Sequence, residues 1–259
     1  MSEHIRNTQS GGVLTLLIDR PSKKNALTDS MYAALADALD AAQTDPDVRV
    51  VLLRGEGDIF TAGNDLGEFA AVATGAAPQR NVIRFILGLT RLCKPVVAAV
   101  QGKAVGVGAT LLLHCDYIIL TEDAQLTMPF VNLALVPEAG SSLLLPARIG
   151  HARAFAIFAL GEPVDARNAL AWGLANQVVA PDSLKSSAED IAHRLAKQPL
   201  GALIATKKLM RDAETLIAHM KVETERFFER LTTPEAREAF TAFAERRAPD
   251  FSKVSGPGS

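Results

Sequence analysis

Apolar positions along this chain follow two regimes, strand-like and helical by turns in the first half and helical alone in the second. Val13 to Asp19 is β-branched and aliphatic, follows Gly11-Gly12 and ends at Arg20-Pro21, which predicts a strand closed by a loop. Thr28 then opens a helix in which Met31, Leu35, Ala38, Leu39 and Ala42 recur at helical spacing until Asp45-Pro46 stops it. Val48 to Leu53 is nearly all aliphatic, the pattern of a strand buried on both faces. After a glycine-punctuated loop and an Ala/Gly/Pro stretch over 70–78, a helix is predicted over roughly 79–92, and Pro95 to Val100 forms a third buried strand. Gly102 to Gly108 leads into an apolar helix ending near His114, and Tyr117 to Leu120 reads as a further strand. This alternation predicts an α/β core with crossover connections.

Beyond Pro137 the strand signals fade, and helices are predicted at about 138–149, 151–160, 165–172, 183–197 and 199–247. The last stretch mixes charges with Leu203, Ile204, Leu209, Met210, Leu216, Ile217, Phe227, Phe228, Leu231, Phe240 and Phe243, so one face must be covered, by its own core or by a neighbouring subunit. Residues 255–259 are too rich in Gly, Ser and Pro to pack, and are expected to be a disordered tail. The expected division is a core domain at 1–198, a helical C-terminal region at 199–254 and that tail.

With 259 residues the chain can bury one large core with a smaller appendage. The formal net charge is −2, and Lys and Arg are spread throughout, so there is no electrostatic footprint for nucleic acid or an anionic membrane. Cys93 and Cys115 have neither metal-ligand nor redox spacing, which suits a reducing cytosol and leaves no metal site in view. The first six residues lack the apolar stretch of a secretory signal and no apolar run approaches membrane-spanning length, so the chain reads as soluble and cytoplasmic.

One physical arrangement occurs twice: a buried strand ends in a glycine-bearing loop that turns into a helix. The first instance is Val50 to Gly55 followed by Phe60-Thr61-Ala62-Gly63-Asn64-Asp65-Leu66; the second is Val96 to Val100 followed by Gln101 to Thr110. Free N–H groups at such helix starts suit an anion or a developing oxyanion, and glycine lets a ligand approach the backbone. Taken alone, each loop reads first as an ordinary tight strand-to-helix turn.

The ordered series of segments resembles the crotonase (enoyl-CoA hydratase/isomerase) superfamily over about residues 10–247. It comprises Asp19-Arg20-Pro21, Asn25-Ala26-Leu27, Phe60 to Leu66, Pro95 to Gly108, Cys115-Asp116-Tyr117 and Pro137-Glu138-Ala139-Gly140-Ser141-Ser142. Leu145 to Gly150 and Ala171 to Ala175 continue it in order and spacing. The resemblance implies a crotonase-like spiral of ββα turns with a helical C-terminal region used in trimerisation, as a homotrimer or a dimer of trimers. It places the oxyanion hole on the backbone N–H groups of Asn64 and Val107, with Val107 where glycine is usual. It also implies that the CoA part of an acyl-CoA substrate is gripped at Lys24, Ala26 and Leu27, at Ala62, Gly63, Asp65 and Leu66, and at Gly106. No cofactor beyond that CoA is implied, and the loops lack a dinucleotide fingerprint.

A thioester α-proton becomes removable when preorganised donors meet the enolate oxygen and a carboxylate in an apolar pocket serves as base. Glu138 is the candidate, since it sits in the apolar run Leu133 to Gly140 with Pro137 just before a predicted helix. From spacing alone it reads first as a charge at a helix N-terminus. The Pro-Glu-Ala-Gly-Ser-Ser pattern resembles the Δ3,Δ2-enoyl-CoA isomerase branch, which implies that Glu138 moves the proton from C2 to C4. The hydratase branch places glutamates at positions occupied here by Thr110 and Phe130, neither of which is an acid or base. A hydratase, a ring-epoxide isomerase of aromatic acyl-CoA and a noncatalytic acyl-CoA-binding or partner-binding domain are the alternative readings.

Other residues draw plainer expectations. Asp65 is expected to bond backbone as well as to fall in the CoA-binding segment. His114, Cys115 and Asp116 are adjacent and so face different ways, which argues against a triad. Ser141 and Ser142 are expected to cap the following turn, with orientation of Glu138 as the alternative, Trp172 to join the core, and Phe130 with residues 69–78 to shape the acyl pocket.

Overall fold

The computed structural model of the chain describes residues 2–65, 67, 68 and 81–254. It opens on a hairpin of β1 (Ile5–Ser10) and β2 (Val13–Ile18), in which Ser10 pairs with Val13 across Gly11-Gly12. Both glycines have positive φ, 57° and 81°, as the tightest hairpin turns require. Sequence reading found β2 but not β1, because only Ile5 of β1 is buried and its polar run carries no strand signature.

The chain continues through α1 (Asp29–Thr44), β3 (Val50–Gly55), α2 (Asn81–Arg91), β4 (Val96–Val100), β5 (Lys103–Val105), α3 (Val107–Thr110), β6 (Tyr117–Thr121) and β7 (Gln125–Thr127). It finishes with α4 (Ser141–Ile149), α5 (His151–Leu160), β8 (Val164–Asp165), α6 (Ala166–Ala171), β9 (Gln177–Val179), α7 (Leu184–Ala196), α8 (Leu200–Met210), α9 (Ala213–Leu231) and α10 (Pro234–Ala244). The main sheet has the order β1-β2-β3-β4-β6-β9, antiparallel at β1–β2 and parallel elsewhere; a smaller sheet has the order β5-β7-β8. This is the α/β architecture anticipated from the alternation of elements. The strands β5, β7, β8 and β9 were not anticipated, since two or three residues are too few to display a period.

Side-chain alternation explains why the central strands are apolar throughout. Val51 and Leu53 of β3, with Ala98 of β4, face the cluster that holds Leu35 and Leu39 of α1 and Leu89 of α2. Val50 and Leu52, with Val97, Ala99 and Ile119, face Leu184, Ala188, Ile191 and Ala192 of α7. Each face therefore has a helical cover. Burying each Val, Leu or Ile contributes roughly 1.5–3 kcal/mol.

The C-terminal stretch is divided where its sequence caps allow. Asp212 accepts from the N–H groups of Glu214 and Thr215 to start α9, and Thr233 accepts from Ala236 N, ahead of Pro234, to start α10. Helix α9 returns over the core and packs on α2 and α4, burying Leu216, Ile217, Met220 and Leu231. Helix α8 buries none of its residues; its Leu209 and Met210 are 89% and 82% exposed. No described helix is long and apolar enough to cross a membrane.

Candidate active site

The two glycine loops singled out in the sequence lie against each other. Thr61 N donates to Lys103 O at 3.2 Å and Val105 N to Thr61 O at 3.1 Å, forming a parallel bridge between Thr61 and Ala104. Gly63 makes this approach possible: its φ is 85°, and a Cβ there would stand 2.5 Å from Val105 O. Next to the contact, Gly63 N donates to Thr61 Oγ1 at 3.1 Å and Gly106 N to Thr127 O at 2.8 Å. The following N–H in each loop, Asn64 and Val107 respectively, has no acceptor among the described residues. A backbone donor without a protein partner calls for water or a ligand.

Residues 20–27 form the other side of the first loop. Ala62 N donates to Lys24 O, Leu27 N to Gly63 O and Asp65 N to Leu27 O, so the two implied CoA-binding segments are joined residue by residue. Lys24 and Asn25 take left-handed φ of 53° and 55°. That turn is held by Asn25, which is fully buried, donates to Glu56 O and Ile59 O at 2.7 Å each, and accepts from Arg20 N at 2.8 Å. Arg20 Nη1 bridges Ala26 O at 3.0 Å and Asp65 Oδ2 at 2.7 Å. Asp65 also accepts from Gly67 N at 3.0 Å and Glu68 N at 3.4 Å; the Arg20 bond first, then these N–H groups, hold its carboxyl below the usual range. Sequence reading quoted Asn25 only as part of a motif and gave Arg20 no role. Leu66 lies outside the described residues, as do 69–78.

Glu138 precedes the helix that sequence placed it in. Helix α4 begins at Ser141, and residues 138–140 form a turn in which Ala139 has φ 59° and Gly140 φ 71°. Reading Glu138 as a charge at the N-terminus of that helix is therefore excluded. Its carboxylate instead accepts from Thr110 Oγ1 at 2.6 Å. Burial pushes its pKa from 4.5 up to about 7, against the Thr110 hydrogen bond and with help from the negative charge of Glu223. Thr110, noted in the sequence only as a missing glutamate, thus orients the carboxylate.

Asn64 and Glu138 line one cavity of about 80 Å³. Its apolar walls come from Val82, Ile83 and Ile86 of α2 and from Met220, Phe227, Phe228 and Leu231 of α9. Phe227 and Phe228 meet edge to face, their ring centroids 6.3 Å apart. Neither Lys nor Arg lines it among the described residues. Tyr32 reaches the same place from α1, fully buried, and its hydroxyl donates to Asn64 Oδ1 at 2.6 Å. Burial first, then the charges of Glu138, Glu68 and Asp29, hold that phenol well above its usual pKa. Val107 is buried and is not among the residues that line the cavity. Phe130, expected in the acyl pocket, instead packs on Phe158 at 6.1 Å.

The remaining candidates take structural positions. Ser141 and Ser142 lie inside α4 and do not cap it, since Gly140, which has no side chain, holds the N-cap position; Ser142 bonds to Glu223, and neither serine bonds to the Glu138 carboxylate. Trp172 is half-buried at the edge of the core, with the Arg153 guanidinium 4.9 Å above its ring. Asp116 accepts from Val96 N and Lys207 Nζ, and burial drives the Cys115 thiol up to about 12, so neither joins His114 in a triad. Among the described residues no cluster of three or more His, Cys, Asp or Glu could hold a metal ion.

His114 is buried beneath the Glu138 turn. Its Nε2 donates to Ala139 O at 2.7 Å and its Nδ1 accepts from Arg211 Nη2 at 2.6 Å, which fixes the neutral tautomer. Burial, reinforced by Arg211, lowers its pKa to about 3. Between pH 6.5 and 3 the unfolded chain therefore binds the extra proton, so stability falls as pH drops through that window. The loss approaches about 4–5 kcal/mol at its lower end. His114→Gln, which retains a donor and an acceptor without titrating, should flatten this slope. Urea midpoints measured from pH 7 to 4 check it: parallel curves for both proteins would reject the neutral buried imidazole.

Comparison with known proteins follows the same lines. Residues 8–254 match the family model described as enoyl-CoA hydratase/isomerase. The chain is 38% identical over 259 residues to the 1,2-epoxyphenylacetyl-CoA isomerase of Escherichia coli (strain K12), covering 97% of this chain and 99% of that protein. It is 34% identical over 262 residues to the carnitinyl-CoA dehydratase of Proteus mirabilis (strain HI4320), with 97% and 99% covered. A solved enoyl-CoA hydratase/isomerase from Pseudoalteromonas atlantica T6c superimposes with a TM-score of 0.91 at 41% identity, covering 96% of this chain and 100% of that one.

Proposed function

Since the chain belongs to the enoyl-CoA hydratase/isomerase family and is an acyl-CoA enzyme of it, we propose that it isomerises 3-enoyl-CoA to 2-enoyl-CoA through a dienolate. The observation that carries this reading is the carboxylate of Glu138, the one acid among the described lining residues, raised to about 7 and aimed by Thr110 beside an apolar cavity. A base whose pKa lies near neutrality takes and returns a proton with equal ease. In the proposed cycle Glu138 removes a proton from C2, the Asn64 and Val107 N–H groups hold the enolate oxygen, and protonated Glu138 delivers the proton to C4. One base suffices, with no cofactor beyond the CoA of the substrate. Addition of water is disfavoured because Thr110 and Phe130 occupy the positions of the two hydratase glutamates.

The cavity also speaks for the kind of acyl group. With apolar walls and no lysine or arginine among the described lining residues, a terminal carboxylate would be desolvated without a partner. An aliphatic or aryl tail is the matching class. A second reading, isomerisation of a ring epoxide of an aromatic acyl-CoA, is favoured by the 38% identity to the E. coli isomerase and by the Phe227–Phe228 pair. We place the CoA itself along Lys24, Ala26 and Leu27 and along Ala62 to Leu66, with Gly106 leaving room at the thioester. A homotrimer, or a dimer of trimers, would cover the exposed Leu209 and Met210.

The test is direct assay of the purified protein with a 3-enoyl-CoA, a 2-enoyl-CoA and an arylacetyl-CoA ring epoxide. Formation of the conjugated thioester from the first, with no hydration of the second, is expected. Turnover of the epoxide alone would transfer the assignment to the second reading, and hydration of the 2-enoyl substrate would reject both.

A further inference from the structure

Helix α4 begins without a local cap. Its N-cap is Gly140, which has no side chain to offer, and the N–H groups of Gly140 and Ser142 point out of the turn that carries Glu138. A residue far along the chain takes both: Glu223 Oε2 accepts from Gly140 N at 2.5 Å, and Oε1 accepts from Ser142 N at 2.9 Å and Ser142 Oγ at 2.5 Å. Glu223 is only 6% exposed. It stands on the face of α9 that also supplies Met220, Phe227 and Leu231 to the cavity wall. The approach is close, for a Cβ on Gly140 would stand 2.5 Å from Leu216 Cδ1 of the same helix. On its other side the turn is held by His114 at Ala139 O.

We propose that Glu223 is a positioning residue for the reaction: its carboxylate clamps the Ala139–Ser142 turn so that Glu138 faces the cavity, and it sets a second negative charge within electrostatic reach of that base. This rests on the reading of Glu138 as the base.

Capping alone does not call for this residue. The positive φ of Gly140 and its contact with Leu216 leave no room for a capping side chain there, so the acceptor must come from α9; a neutral acceptor would serve the helix, whereas burying a carboxylate incurs a desolvation cost that its hydrogen bonds must offset. What the carboxylate adds is charge. The direction agrees, since Glu223 contributes to raising Glu138. Among the described residues the other titratable groups around Glu138 are accounted for. Tyr32 of α1 is held in its neutral form, and His114 is neutral with Arg211 behind it. His219, on the same helix as Glu223, contacts Ser142 Oγ at 2.8 Å and Glu223 Oε1 at 3.5 Å. Glu68 and Asp29 act on Tyr32. Glu138's own hydrogen-bond partner, Thr110, carries no charge.

The experiment follows Glu138 without any substrate. In the full-length protein labelled with ¹³C at the glutamate side-chain carboxyls, the Glu138 signal is the one lost in Glu138→Gln, and its titration midpoint is expected near 7. In Glu223→Gln, which retains an acceptor for the turn and removes the charge, the midpoint should fall by about half a unit or more. The acid limb of kcat/KM should move by the same amount. Glu223→Asp retains the charge and loses the reach, so its midpoint should stay near wild type while kcat drops by about tenfold or more at little change in KM. An unmoved midpoint in Glu223→Gln overturns the electrostatic part, and full activity in Glu223→Asp overturns the positioning part. If Glu223→Gln does not fold, the Glu223→Asp arm decides. A wild-type protein that isomerises nothing would remove the proposed function, yet the titration would still judge whether Glu223 acts on Glu138.

Discussion

Glu138→Gln is expected to lower turnover of 3-enoyl-CoA by at least about a hundredfold while making the protein more stable above neutral pH. Both effects come from one fact, that the carboxylate is held where water cannot solvate it. The amide keeps an oxygen for Thr110 and much the same volume, so CoA thioester binding should persist, but it cannot take a proton from C2. For stability, the unfolded carboxyl ionises around 4.5 and the folded one around 7. Between these values the folded protein binds the extra proton, so stability falls as pH rises through the window, and above it the penalty is complete. Its size is about 3 kcal/mol. Glutamine is neutral at every pH and escapes it. Urea unfolding should therefore show Glu138→Gln more stable than wild type at pH 8 and equal to it near pH 4. Equal stability at both would mean that Glu138 is solvated, and with that the case for it as a tuned base collapses.

That opposition between stability and function also explains what could be read from the sequence. The strands β3 and β4 and the helix α1 are legible because burial on both faces, or on one stripe, leaves its period in the composition. Glu138 stood out for the same reason, as an acid in an apolar run. The short strands β5, β7, β8 and β9 have no period to show, and β1 is an edge whose polar residues look like a loop. The partners of Glu138 were illegible for a different reason. Thr110, Tyr32 and Glu223 come from segments 28, 106 and 85 residues away along the chain, and each is unremarkable in its own neighbourhood: a threonine in an apolar helix, a tyrosine on a core stripe, a glutamate among the charges of α9. Only the meeting of α1, α3 and α9 around the cavity that Asn64 and Glu138 line gives them a shared role. The expected start of α4 at 138 failed likewise, because the cap that delays it to Ser141 is supplied by α9 and not by the local sequence.

Gly63→Ala should damage both stability and turnover, for the two loops meet there backbone to backbone. The added carbon would stand 2.5 Å from Val105 O, which has no flexible end to swing aside, and Gly63 has φ 85°, where an L side chain is strained. The loops must separate, weakening the Thr61–Lys103 and Val105–Thr61 bonds and displacing the adjacent Asn64 N–H. Strain and lost packing together are expected to cost roughly 2–4 kcal/mol of stability. Loss of one aligned donor to an enolate oxygen should lower kcat by a further 10²–10³, on the order found for such donors elsewhere. Gly201→Ala is the matched control: it lies in α8, a Cβ there meets nothing within 4 Å, and helix propensity predicts a gain of roughly 0.5–1 kcal/mol with unchanged turnover. Thermal unfolding and kcat measured on both variants separate the effects. If Gly63→Ala loses stability but keeps kcat, Asn64 N–H does not meet the developing charge, and the oxyanion site must be sought at Val107 and other donors.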